Sequence, residues 1–128
     1  MRLLLDTHIF LWFLLGDKKL ETSLRNAIRD PGNEVFLSVV SLWEIIIKHS
    51  LGNIPLPGPP EIYVPTQRRR HQISSLPVDE GSVSQVAKLP PLHRDPFDRL
   101  LIGQAMENGL ALVTVDTVIR AYPMAPVL

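Results

Sequence analysis

The chain contains no cysteine, which excludes disulfides, thiolate metal sites and a cysteine nucleophile. The lack of thiols agrees with a reducing cytoplasm, the expected location. Neither sign of charge is in excess. Thirteen basic and 13 acidic residues give a formal net charge of zero. A protein-wide basic field for nucleic acid is therefore excluded, and any such binding must come from local patches. No long hydrophobic run is present either. The longest, Ile9 to Leu15, is far too short to span a bilayer, so no membrane partner is expected. Asp6 falls where a signal peptide needs its apolar stretch, and the chain is read as mature from residue 1. There is no repeat and no low-complexity tract.

What is present is an ordinary globular composition, 45% hydrophobic and 20% charged, over 128 residues. That length suits one domain, residues 1–128, with a core of its own. Leu3 to Leu5 read as a buried strand, followed by a short helix ending near Gly16. Glu21 to Asp30 read as a second helix, stopped by Pro31-Gly32. Glu34 to Val39 reads as a strand and Ser41 to Leu51 as a helix ending at Gly52. Pro55 to Pro60 holds four prolines in six positions and is a loop. A helix near Glu61 to His71, a short strand at Ile73 to Leu76, and a helix over Asp79 to Lys88 follow, the last capped by Asp79. Asp95-Pro96 opens a strong helix that Gly109 closes. Leu110 to Val115 reads as a strand, then a short helix and a last strand near Pro126 to Leu128. Strands alternating with helices imply a parallel sheet covered on both faces, with ligands at the carboxyl ends of the strands.

Acidic residues gather at that edge. Asp6 and Asp116 each end a strand, and each is also placed to cap the following helix. Glu44 shares a helical stripe with Val40 and Ile47, so it lies on or beside the face meeting the sheet. Two ordinary explanations compete there. Ser41 and Glu44 have the spacing of a capping box, and Lys48 is placed for an i,i+4 ion pair. A helix starting near Ser38 would remove the capping box. Asp95 occupies the N-cap slot before Pro96 and is well explained as a cap or as a group behind the ligands. Asp98 shares a stripe with Leu101, Ile102 and Ala105 and points toward the sheet. Arg94 and Arg99 are possible ion-pair partners of both. Taken together, Asp6, Glu44, Asp98 and Asp116 form a set that would repel itself unless a divalent cation resolves the conflict. Hard oxygen donors select Mg²⁺ or Mn²⁺, and such a site suits phosphodiester hydrolysis.

The segments Leu3-Leu4-Leu5-Asp6-Thr7, Ser41-Leu42-Trp43-Glu44-Ile45-Ile46-Ile47-Lys48, His93-Arg94-Asp95-Pro96-Phe97-Asp98-Arg99-Leu100-Leu101-Ile102 and Leu112-Val113-Thr114-Val115-Asp116 carry a family resemblance. In this order they resemble PIN domains, and more narrowly the VapC-type toxins of toxin–antitoxin pairs. The resemblance implies a three-layer α/β/α sandwich with a central parallel sheet of about five strands. It implies an Mg²⁺- or Mn²⁺-dependent endoribonuclease, a homodimer, and an antitoxin that blocks the site. Carried over by motif, Asp6, Glu44, Asp98 and Asp116 are the acidic ligands, with Thr7 and Thr114 as polar support.

Around this set, Arg68, Arg69 and Arg70 with His71 form the strongest basic cluster. It is either an RNA phosphate contact or a solvated helix face. Lys48 either orients Glu44, contacts phosphate or makes an ordinary ion pair. His8 and His93 are candidates for proton transfer, with packing roles as the competing reading. Apolar excess on the first helix, at Ile9, Phe10, Trp12 and Phe13, suits a partner helix or a buried core equally. Two other function classes stand beside the nuclease. One is a PIN-like module that binds RNA or protein without catalysis. The other is a phosphatase or receiver, which wants further acids beside Asp6, where the chain has Thr7 and His8.

Overall fold

The first strand, β1 (Arg2–Leu5), is fully apolar after its first residue, and Leu3, Leu4 and Leu5 are all completely buried. A strand buried on both faces belongs at the centre of a covered parallel sheet. That is its position in the computed structural model, which describes residues 1–128. With β2 (Glu34–Ser38), β3 (Ser74–Leu76) and β4 (Ala111–Val113), it forms a parallel sheet of order β3-β2-β1-β4. Leu3 pairs with Val35 and Ala111, and Leu5 with Leu37 and Val113.

Helices cover both faces, giving three α/β/α layers. Leu3 and Leu5 pack with α1 (Thr7–Leu15), α2 (Thr22–Arg29) and α4 (Pro60–Arg70) through Ile9, Phe10, Ile28 and Val64. Leu4 faces the other way, onto Leu101, Ile102 and Ala105 of α6 (Pro96–Asn108) and Ile119 of α7 (Thr117–Arg120). The helix α3 (Val39–Ser50) straddles the layers, with Val40 in one core and Ile45 in the other.

The sheet has four strands where about five were expected. The last segment contributes a single parallel bridge, Leu112 to Val127, flanked by Leu128 N–H donating to the Leu112 carbonyl at 3.0 Å. Two helix ends read from the sequence are as drawn. Gly16 and Gly109 both stand at φ 63°, the left-handed conformation that closes α1 and α6.

The short helix α5 (Glu80–Val86) lies directly against α6 at Gly103. A Cβ there would meet the Ser82 carbonyl oxygen at 2.5 Å and Val86 Cγ2 at 3.2 Å. The oxygen belongs to backbone and cannot rotate aside. Gly103→Ala is therefore expected to cost about 3 kcal/mol of overpacking, against roughly 1 kcal/mol gained in helix propensity. The net loss of about 2 kcal/mol will appear as a lower urea midpoint at unchanged slope.

Candidate active site

Sheet order turns around between β1 and β4, so the chain leaves these neighbours toward opposite faces. Ligands of open parallel sheets bind at such a crevice. Asp6 follows β1 directly, and its backbone N–H donates to the Val113 carbonyl of β4 at 3.0 Å. Four helices begin at this edge. Asp6 caps α1, Ser38 caps α3, Asp95 caps α6 and Asp116 caps α7. Their positive dipole ends therefore point at one region, a setting that favours anions. The capping explanation of Asp6, Asp95 and Asp116 is correct as local chemistry. It does not exhaust these residues, because Asp95 and Asp116 cap with Oδ1 alone.

Asp6 is buried and held from both sides. Its Oδ1 accepts from the Thr7 N–H at 2.8 Å and its Oδ2 from Thr114 Oγ1 at 2.8 Å. Burial pushes its carboxyl above the ordinary range and Glu44 adds to this, while the bonds from Thr114 and Thr7 and the charge of His8 oppose it. Thr114 also accepts from the Asp116 N–H at 3.0 Å, so one buried threonine ties Asp6 to the turn that carries Asp116.

Helix α3 starts at Val39, capped by Ser38 Oγ, which accepts from the Val40 N–H at 2.9 Å. This removes the Ser41–Glu44 capping box, because Glu44 lies well inside the helix. Glu44 is 3% exposed. Its Oε1 accepts from Thr7 Oγ1 at 2.7 Å, and its Oε2 accepts from Lys48 Nζ at 2.5 Å. The ion-pair explanation of Lys48 is thus correct. Thr7 Oγ1 spends its one proton on the carboxylate, so Ser41 Oγ, 2.9 Å away, donates to Thr7. Burial works against the charge on Lys48, but the bond to Glu44 and the charges of Glu44, Asp95 and Asp98 outweigh it and raise its pKa. Lys48 therefore also feels the acids of α6.

Asp98 lies on the sheet-facing side of α6 and is 9% exposed. Burial, then the charges of Asp95, Asp6 and Asp116, push its carboxyl up to about 8. Its Oδ2 lies 3.3 Å from His93 Nε2. The structure thus brings Asp6, Asp95, Asp98 and Asp116 into one electrostatic cluster, with Glu44 joined to it through Thr7 and Lys48. Asp116 stands three residues beyond the end of β4, half-buried, rather than on the strand end itself.

Other residues are placed elsewhere. Arg68, Arg69 and Arg70 close α4, the helix that returns to the start of β3, so they stand at the opposite edge of the sheet. Arg68 Nη1 donates to the Ile73 carbonyl at 2.9 Å, and Arg70 and His71 line a hollow with Arg29, Asp30 and Asn33. The apolar excess of α1 is mostly core: Ile9, Phe10, Leu11 and Phe13 are buried, and Trp12 is half-buried. His8 is exposed and stacks on Trp12. Sequence reasoning missed the aromatic pair Trp43–Phe97, which meets edge to face at 4.9 Å beside Glu44 and Asp98. It also missed Ser41 and Tyr122. No three of the acids, as their side chains lie, surround one point in the arrangement of a metal site.

A three-layer sandwich with carboxylates gathered at its topological switch point defines an acidic-site α/β fold. The chain belongs to the PIN domain family, whose profile matches residues 3–123. Ribonuclease VapC16 of Mycobacterium tuberculosis is 44% identical over 57 residues, which is 44% of this chain and 40% of that protein. Ribonuclease VapC22 of the same organism is 25% identical over 120 residues, covering 93% of this chain and 90% of that protein. In fold, the chain resembles the crystal structure of VapBC2 from Rickettsia felis bound to a DNA fragment from their promoter. That match has a TM-score of 0.74 at 12% identity and covers 100% of this chain and 98% of that one. No helix is long and apolar enough to cross a membrane.

Proposed function

We propose that this protein is a divalent-metal-dependent endoribonuclease acting in the cytoplasm, the toxin of a toxin–antitoxin pair. The observation that carries the reading is the cluster of Asp6, Asp98 and Asp116 with Glu44 close by, at the switch point of a PIN fold. All its donors are carboxylate oxygens, and the one ammonium among them, Lys48, is engaged with Glu44. That donor chemistry fits Mg²⁺ or Mn²⁺. Asp6, Glu44, Asp98 and Asp116 are the residues that would hold the ion. When bound, the ion supplies positive charge against a phosphate oxygen and an acidified water.

The remaining residues act by position. Thr7 and Thr114 hold Glu44 and Asp6 through short bonds, which fixes two carboxylates on adjacent elements. Lys48 balances Glu44 and faces the α6 acids. Asp95 fixes the start of α6, and with it the direction of Asp98. The convergent helix N-termini favour the phosphodiester anion.

The partner reading rests on charge and shape. A chain with no net charge has no protein-wide basic field for promoter DNA, so an assembly like VapBC2 would draw that field from a second protein or from local patches. An apolar groove of about 370 Å³, lined by Trp12, Leu14, Leu15, Ile54, Leu56 and Tyr63, suits an apolar antitoxin segment. A homodimer is part of the same proposal, and it would give cover to apolar side chains that stand exposed on the single chain, Trp43 and Ile46 of α3 among them.

The test is cleavage of single-stranded RNA by partner-free protein with Mg²⁺ or Mn²⁺. Products should carry no 2′,3′-cyclic phosphate, because water rather than the ribose 2′-hydroxyl attacks. Asp6→Asn should abolish cleavage with the fold intact by circular dichroism. Full activity in that variant would remove Asp6 from the site. No cleavage of varied RNAs and no Mn²⁺ binding by calorimetry would favour the silent binding module.

A further inference from the structure

Behind Asp98 lies a second polar assembly that the acidic set does not include. His93 Nε2 is 3.3 Å from Asp98 Oδ2, and His93 Nδ1 is 2.7 Å from the Tyr122 hydroxyl. The guanidinium of Arg99 donates to the same hydroxyl at 3.0 Å through Nη1. Arg99 is itself fixed, since Nη1 also donates to the Pro90 carbonyl at 2.8 Å and Nη2 to the Leu89 carbonyl at 3.4 Å. Tyr122 is 1% exposed, so its hydroxyl has no water to turn to.

Donor bookkeeping gives this chain a direction. Arginine only donates, so the Tyr122 oxygen accepts from Arg99. The phenol has one proton, and a buried hydroxyl that leaves its proton unpaired is costly. The one acceptor in reach is His93 Nδ1. A ring nitrogen that accepts carries no proton, which in a neutral imidazole places the proton on Nε2. Nε2 then donates to Asp98.

We infer that Tyr122 and Arg99 are positioning residues that fix His93 in its Nε2–H tautomer, so that His93 holds one oxygen of Asp98 in place as a hydrogen-bond acceptor. The order Arg99, Tyr122, His93, Asp98 runs from a main-chain anchor to a carboxyl that faces three like charges. Each donor restrains the next group, and the last bond opposes rotation of Asp98 away from Asp95, Asp6 and Asp116. Such bonds to the groups behind a reactive carboxylate commonly decide how well it is aimed. The kinetic consequence rests on the ribonuclease reading. The tautomer does not.

The direct test is nitrogen-15 NMR of the imidazoles in the full-length protein, above the ordinary imidazole titration range. His93 should show a protonated Nε2 and an unprotonated Nδ1. A protonated Nδ1 in the wild type would overturn the inference, with no variant needed, and would leave the nuclease reading intact. Tyr122→Phe keeps the ring and removes the donor, so the unprotonated Nδ1 of His93 should move to the nitrogen-15 shift of a lone pair without a hydrogen bond. In RNA cleavage, that variant should lose about 10-fold in kcat with KM unchanged. His93→Gln keeps a donor toward Asp98 without needing Tyr122. In that background Tyr122→Phe should have no further effect on kcat. An equal loss in both backgrounds would show that Tyr122 merely packs.

Discussion

Asp98→Asn will lower RNA cleavage by more than about 100-fold and, in metal-free protein, raise thermal stability at pH 8. The lost activity should exceed the 10–100-fold typical of groups one step removed from a metal, because Asp98 is among the proposed ligands. The gain in stability follows from the same placement. Burial and the charges of Asp95, Asp6 and Asp116 raise the folded-state pKa of Asp98 to about 8, from an ordinary 3.8. Between these values the folded state binds a proton that the unfolded chain has released. Stability contributed by this group therefore falls as pH rises from about 4 to about 8, and is level above that. Asparagine carries no charge and removes the slope. Melting curves of the two proteins should coincide near pH 4 and separate toward pH 8, with the variant higher. A variant that melts lower at pH 8 would show that Asp98 is not the strained member of the cluster. Loss of function with gain of stability separates a ligand from a structural acid, since removing a capping acid costs stability.

The parts legible in the sequence were those written in local chemistry. Asp95-Pro96 and Gly109 bound α6 because an N-cap, a proline at the first helical position and a left-handed glycine each act within a few residues. Asp6 was legible because three leucines stop at it. The start of α3 was not decided by sequence, because Ser38 and Ser41 can both cap. Tertiary context chose Ser38, whose hydroxyl also donates to the buried side-chain Oε1 of Gln104 at 2.5 Å on another element. That choice put Glu44 inside the helix, where Thr7 and Lys48 hold it. The place of the arginine cluster is legible in the element order. A helix that precedes a parallel strand ends at the strand's amino edge, away from the acids. Tyr122 had no such signal, since its partner His93 is 29 residues away and only the fold brings them together.

Removing divalent cation should stop cleavage, and restoring it should stabilise the fold. Chelation with EDTA is expected to reduce RNA hydrolysis to background, with recovery on adding Mn²⁺ or Mg²⁺ in excess. An ion that binds only the folded state stabilises by mass action, about 2.7 kcal/mol at a hundredfold excess over its dissociation constant. For a domain of this size that is a rise of roughly 10 °C in Tm. Asp6→Asn and Asp98→Asn should each lose most of that rise. Binding also has a defined pH dependence. Asp98 must give up its proton to act as a ligand, and it holds that proton up to about 8. Apparent affinity for Mn²⁺ should therefore climb by about tenfold per pH unit toward pH 8, one proton being released per ion, and then level off. Calorimetry in buffers of different ionisation enthalpy counts that proton directly. If binding released none below pH 8, Asp98 would already be charged or would not be a ligand. If Asp98→Asn still released it, the proton would come from Asp6, whose carboxyl burial also raises. Asp98 and Asp6, whose carboxyls burial raises, are thus the two acids whose charge an ion would most relieve.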